Sequence, residues 1–268
     1  MTDGDLQKPS LIVIWTHEVG GLSKGLVTHL EEKLGWVCIE EIEPAGFFSL
    51  SGVEVKNDLI QFPASRFYSC LKENVFFFVS HAPSREPYQF LTKVIDLAID
   101  SCGIKELYTI GGVVTSVTHT SPRRVFGIVN HAELNDTLTQ CGVETGMDYQ
   151  TPPGGGTSLS NYLLWVSKTR NLAGCTLWVE VPFYLANVRD PMACKKMLEI
   201  LNLRFSMELD LHPIDIAIER LNTDIQSLRA ENTDISRYIE LLERGIALSE
   251  DEGETLSREV IKLLYNYD

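Results

Sequence analysis

The chain has 268 residues, 44% of them hydrophobic, with 23 Lys and Arg against 37 Asp and Glu, a formal net charge of −14. That composition is that of a globular chain rather than a disordered one, and the acid excess argues against a basic surface for nucleic acid or for an anionic membrane. The opening MTDGDLQKPS carries acids and no apolar core, and no run of about 18 apolar residues follows, so residues 1–10 are expected to be a flexible N-terminus of a cytoplasmic protein.

From residue 10 onward, short apolar runs alternate with segments of helical period. Leu11–Trp15, Trp36–Ile42, Val75–Ser80, Leu107–Ile110, Val125–Val129 and Leu177–Val181 read as strands, several apolar throughout and so buried on both faces. Between them Leu22–Leu34, Tyr88–Ser101, Ala132–Thr139, Leu159–Thr169 and Pro191–Leu203 read as helices. Alternation of this kind predicts βαβ crossovers and an α/β fold, a parallel or mixed sheet covered on both sides in three layers. Six cysteines lie tens of residues apart without a CxxC pair, the pattern of reduced, mostly buried thiols.

Loops beyond strand carboxyl ends are where such sheets collect ligands, and three are glycine-rich: His17–Gly25, Gly111–Thr115 and Pro152–Thr157. Gly20 to Gly25 has phosphate-loop spacing, but Leu26 and Val27 stand where Lys and Ser/Thr are needed. Ser23 sits in a G-x-S-x-G pattern, yet about seven residues past its strand, too far for a nucleophile elbow. The six histidines form no metal-binding pair, and no metal or cofactor is expected. What remains is a candidate pocket of Gly111, Gly112, Thr115, Arg123, Gly155, Thr157 and Glu180, open to a nucleoside-like or anionic ligand. The bland readings are tight turns for the glycines and a solvated turn for Arg123 and Arg124. Glu180 ends an apolar strand and reads equally as a site acid or as a structural carboxylate bonded to backbone NH groups.

The last 55 residues, from Ile214, contain 13 acids and 6 bases and so hold half of the net charge, which marks a boundary at Pro213. Taking Ile218 as heptad position a, positions a and d collect Ile214, Ile218, Leu221, Ile225, Leu228, Asn232, Ile235, Ile239, Leu242 and Ile246 without a slip over 33 residues. Ile at a with Leu at d favours a parallel two-stranded coil, and one Asn at a sets its register. Pairing between chains and pairing within a helical hairpin both fit, as does an amphipathic helix laid on its own domain. Gly245 and Gly253 are expected to interrupt the helix. Glu250–Glu252 between them reads as a linker or helix start, and a last short helix begins at Thr255.

Four segments carry a resemblance: LIVIWTHEVGGLSKG from Leu11, CGIKELYTIGGVVTSVTHTSPRRVFGIVN from Cys102, PPGGGTSLSNYLLW from Pro152, and WVEVPFYLANVRDPMACKKMLEIL from Trp178. The specific part is GG-x-x-T followed by PRRVFG, then E-x-P-x-Y followed by DP and a helix. Over residues 10 to 213 the chain resembles the proteasome assembly chaperone family, the relatives of the second eukaryotic proteasome assembly chaperone. The resemblance implies an α/β domain over 11–212, an αβα sandwich similar to purine nucleoside phosphorylases, to which the heptads add a helical coiled-coil tail over 213–268. It also implies a non-enzymatic homo-oligomer whose partners are copies of itself and proteasome α-subunits. Archaeal relatives dock through a C-terminal hydrophobic–Tyr–any tripeptide; here Tyr267 and Asp268 match its last two positions, and Asn266 departs at the first. The alternative, from another class, is an enzyme or sensor with a small ligand in a phosphorylase-like pocket.

Overall fold

The computed structural model describes residues 8–49, 53–56, 58–70, 74–148, 150 and 156–265. Strands are β1 (Ser10–Trp15), β2 (Val37–Glu41), β3 (Glu54–Lys56), β4 (Leu59–Gln61), β5 (Ser65–Ser69), β6 (Val75–Ser80), β7 (Glu106–Thr115), β8 (Val125–Val129) and β9 (Ala173–Pro182). Helices are α1 (Leu22–Leu34), α2 (Pro87–Cys102), α3 (Leu134–Gln140), α4 (Leu159–Thr169), α5 (Pro191–Phe205), α6 (His212–Glu231), α7 (Thr233–Glu243) and α8 (Glu250–Tyr265). Among the described residues seven strands form one sheet in the order β2-β5-β6-β1-β7-β9-β8, and β3 with β4 forms a separate hairpin. The chain divides into two compact units, residues 1–16, 29–110 and 126–177 in the first and 17–28, 111–125 and 178–268 in the second.

In the first unit β1 lies between β6 and β7, parallel to both, with Ile12 opposite Phe77 and Tyr108. β5 runs antiparallel to β6, and β2 antiparallel to β5, so the sheet is mixed. Leu11, Val13 and Trp15 pack among Phe90, Leu91 and Val94 of α2 and Leu163 and Val166 of α4. Ile12 and Ile14, which point to the other face, are also fully buried. A strand without a polar face can persist only if both sides are covered, which is what the unbroken LIVIW run signals. By contrast β2 is exposed at every position and forms an edge of the sheet. β3, β4 and β5, too short and too mixed in polarity to stand out, are absent from the pattern read in the sequence.

In the second unit the heptad segment, expected without a slip from Ile214 to Ile246, is divided at Asn232 into α6 and α7. Asn232 leaves helical geometry at φ −132°, and its Oδ1 accepts hydrogen bonds from the backbone of Asp234 (3.1 Å) and Ile235 (3.3 Å), capping α7. Arg229 reaches Glu243 at 2.8 Å. Fourteen residues of continuous helix would separate them by roughly 21 Å, so α7 folds back on α6. The heptad stripe is consumed inside the chain, Ile225, Ile235 and Ile239 being fully buried, with Leu221 and Leu242 nearly so. Ile218, Leu228 and Asn232 are half-buried.

Gly245 stops α7. At φ +71° it takes the left-handed conformation that a side chain disfavours, while its NH bonds to Leu242 and that of Ile246 to Leu241, the paired reversals of a helix end. Gly253, in contrast, does not break the chain but lies inside α8. α8 starts five residues before the expected Thr255 because Ser249 and Glu252 cap each other: Glu252 accepts from the Ser249 NH at 3.0 Å, and the Ser249 hydroxyl faces the Glu252 NH at 3.4 Å. The acidic run is thus a helix start, where negative charge opposes the helix dipole. That backbone hydrogen bond holds the Glu252 carboxyl below its ordinary range.

Candidate functional site

Five of the predicted pocket residues, Gly111, Gly112, Thr115, Arg123 and Glu180, fall in the second unit. Thr157 is exposed in the first, and Gly155 lies outside the described residues, as do Tyr267 and Asp268. Within the second unit the chemistry centres on the turn from Thr118 to Arg124 and the segment from Glu180 to Asp190.

Arg123 is fully buried, and this corrects the solvated-turn reading. Its Nε donates to Asp190 Oδ2 at 3.1 Å and its Nη2 lies 3.1 Å from the same oxygen. Nη1 donates to the carbonyls of Thr118 (2.7 Å) and Ser121 (2.6 Å), and Nη2 reaches that of His119 at 3.4 Å. Every nitrogen of the guanidinium therefore has an acceptor in the protein. Asp190 uses its other oxygen to accept the backbone NH groups of Met192 (3.0 Å) and Ala193 (3.1 Å), capping α5 ahead of Pro191. Burial pushes its carboxyl up, and the Arg123 charge and the two amides act against that rise.

Beside this pair, the Tyr184 hydroxyl accepts from the His119 backbone NH at 2.7 Å and lies 3.0 Å from His119 Nδ1. Having accepted one hydrogen bond, it is free to donate its own proton to Nδ1, which fits a neutral imidazole. Burial, then the charges of Arg229 and Arg123, lower the His119 pKa from 6.5 to about 4. Tyr184 is itself raised, chiefly by burial. Sequence reading passed over Asp190, His119 and Tyr184 as site residues. The only local signal was Asp before Pro, which reads as a helix cap and does not announce an ion pair 67 residues away.

Glu180 is buried and grips Arg124 at three points: its Oε2 accepts from the backbone NH and Nε, both at 3.1 Å, and its Oε1 from Nη2 at 2.7 Å. The paired geometry explains how an acid is tolerated at the end of an apolar strand. Gly111–Thr115, expected as a loop, is instead the second half of strand β7, where Gly111 and Gly112 serve close approach. A Cβ on Gly111 would lie 2.5 Å from the Trp178 ring, and one on Gly112 2.5 Å from a Val19 methyl. The Gly112 NH donates to Glu18 at 3.2 Å, and burial raises the Glu18 carboxyl against that bond. Thr115 Oγ1 is buried with no hydrogen-bond partner among the described residues. Among the described residues no group of three His, Cys, Asp or Glu is placed to hold a metal ion.

The last helix bears on the same motif. α8 packs against Phe183–Leu185, the turn that continues E-x-P-x-Y, and Gly253 brings its backbone close to the Phe183 ring, where an added Cβ would lie at 3.6 Å. The motif thus supplies a strand end, a buried hydroxyl and a floor for α8.

Known structures share this architecture at low identity. A Corynebacterium glutamicum protein of unknown function matches with a TM-score of 0.76 at 17% identity, over 90% of this chain and 91% of the other. A proteasome-assembly chaperone homologue from Mycobacterium tuberculosis matches with a TM-score of 0.71 at 18% identity, over 86% and 99%. An archaeal proteasome activator from Pyrococcus furiosus matches with a TM-score of 0.65 at 18% identity, over 84% and 95%. No curated protein matches the chain. The PAC2 family model matches residues 17–229, which span the glycine loop, the buried Arg123–Asp190 pair and α5, and on that match the chain belongs to the PAC2 family.

Proposed function

We propose that this chain is a non-catalytic protein-binding protein with a chaperone-like role, acting on proteasome α-subunits and associating with copies of itself. The observation that carries the reading is PAC2 membership across residues 17–229. The fold likeness to the mycobacterial chaperone homologue and the archaeal activator supports it. So does the local chemistry: the guanidinium of Arg123 and the carboxylate of Glu180 are engaged by other protein groups. In this reading α8, seated on Phe183–Leu185, is a fixed base from which residues 266–268, with Tyr267 and Asp268, reach a partner. The protein works in the cytoplasm; no helix among the described residues is long and apolar enough to cross a membrane.

The test mixes the full chain, and one lacking residues 265–268, with a proteasome α-ring and reads co-sedimentation. Association that requires the last four residues is expected. Failure of the full chain to associate overturns the proteasome role, and equal association of both forms overturns docking through the end of the chain. One observation favours the small-ligand reading, the buried Thr115 hydroxyl at the end of β7, which has no partner among the described residues. A thermal-shift series with nucleosides and inorganic phosphate decides it, because a ligand at a hundred times its Kd adds about 2.7 kcal/mol.

A further inference from the structure

On the first unit, α2 and α4 turn their inner faces to the core and leave an aromatic cluster outside. Phe90, Leu91, Val94, Ile95 and Ala98 of α2, with Leu163, Leu164 and Val166 of α4, are buried. Tyr88 and Trp165 are 44% and 53% exposed. Tyr162 stacks on Trp165 at 5.6 Å, and Tyr88 lies 5.9 Å from Trp165 and 6.3 Å from Tyr162. Three packed rings facing water are a costly surface unless something covers it. Next to them the outer face of α2 forms an open hollow of about 360 Å³ lined by Tyr88, Thr92, Lys93, Asp96, Leu97 and Asp100. Arg170, just past α4, donates to both oxygens of the lining Asp96, at 2.8 and 3.3 Å.

We propose that this α2–α4 face is where a second copy of the chain docks, about a two-fold axis that sets Trp165 of each copy against the hollow of the other. Shape is the first argument. One face carries a protruding indole and, sharing Tyr88 as a common wall, a concavity, the arrangement an isologous contact needs. Charge is the second. The Arg170–Asp96 pair is closed within the chain, which leaves Lys93 and Asp100 in the hollow and the exposed Lys168 at the end of α4, on a chain whose net charge is −14. A like-charged copy is repelled elsewhere, but here Lys168 at the end of α4 can meet Asp100 near the end of α2 and the reverse. A purely acidic or purely basic partner would match half of these groups and be opposed by the rest.

Size sets the strength. Helices of 16 and 11 residues present a footprint on the order of 400 Å², against roughly 800 Å² per partner in a standard interface, so the contact is reversible. The inference rests on the self-association proposed above and moves its contact from the heptad seam, which is buried within the chain, to α2 and α4.

Sedimentation velocity on the full chain, from micromolar to a few hundred micromolar, tests it without a proteasome. The wild type is expected to pass reversibly from monomer to dimer. Trp165→Glu and, separately, Tyr88→Ala should weaken that step at least tenfold with far-UV circular dichroism and the urea midpoint unchanged, whereas Ile216→Glu, on the exposed side of α6, should leave it alone. A wild type that stays monomeric throughout overturns the inference, even if the chain binds an α-ring. So does a dimer indifferent to both aromatic substitutions.

Discussion

Breaking the Arg123–Asp190 pair should be among the most damaging changes the chain can suffer, because the polar groups of both side chains are engaged inside the protein. Both side chains are fully buried. In Arg123→Met the guanidinium is gone, and a buried carboxylate remains with two amide donors in place of an ion pair. Removing one member of such a pair costs about 3–5 kcal/mol, because the other charge stays desolvated and uncompensated. Asp190→Asn keeps an oxygen able to cap α5 but leaves Arg123 as an unpaired cation, with a cost in the same range. In the double variant no buried charge is left. Its loss should therefore fall short of the summed single losses by about 2 kcal/mol or more, within the span found for coupled neighbours. Urea denaturation followed both by tryptophan fluorescence and by far-UV circular dichroism measures all four corners, and coincident transitions check that a single free energy is meaningful. Single losses below about 1 kcal/mol, or additive ones, would refute the closed network and return Arg123 to the pool of residues available to an anion.

Three further outcomes follow from neighbouring groups. His119 is neutral in the fold, with a pKa of about 4 against 6.5 for the free side chain. Below pH 6.5 the unfolded chain therefore binds a proton that the folded chain refuses. Its contribution to stability is complete above that pH, drains away as pH falls toward 4, and amounts to about 3 kcal/mol; His119→Gln should flatten that stretch of the pH–stability profile. Asn232→Ile, which would tighten a two-stranded coil, should instead destabilise the monomer by about 0.5–2 kcal/mol through loss of the α7 cap, read as a lower midpoint in urea. Gly111→Ala forces a methyl into the Trp178 ring and should cost about 1–3 kcal/mol in the same assay; the double variant with Trp178→Leu should recover part of it.

The glycine, arginine and acidic residues of the GG-x-x-T, PRRVFG and E-x-P-x-Y segments stood out as candidates, yet their tasks were not legible. Gly111 looked like a loop for a ligand and makes room for an indole; Glu180 was open between two roles and binds Arg124, backbone included. Each assignment depends on what lies tens of residues away, which no local pattern encodes.

Periodicity and composition, in contrast, are local. They were enough for the buried strands β1 and β6, for helices α1 and α4 to the residue and for the acid-rich C-terminal segment, while the family resemblance rested on the motif segments themselves. The heptads show the division most plainly. Spacing determined that Ile225, Ile235, Ile239 and Leu242 share one apolar seam, because apolar residues at 3-4 spacing line one side of a helix whatever covers it. Only tertiary structure decided the cover. Asn232 satisfies two amides best by ending α6, and the seam then closes on itself rather than on a partner. A side chain's hydrophobicity states that it will leave water; the neighbour that takes water's place is a property of the whole chain.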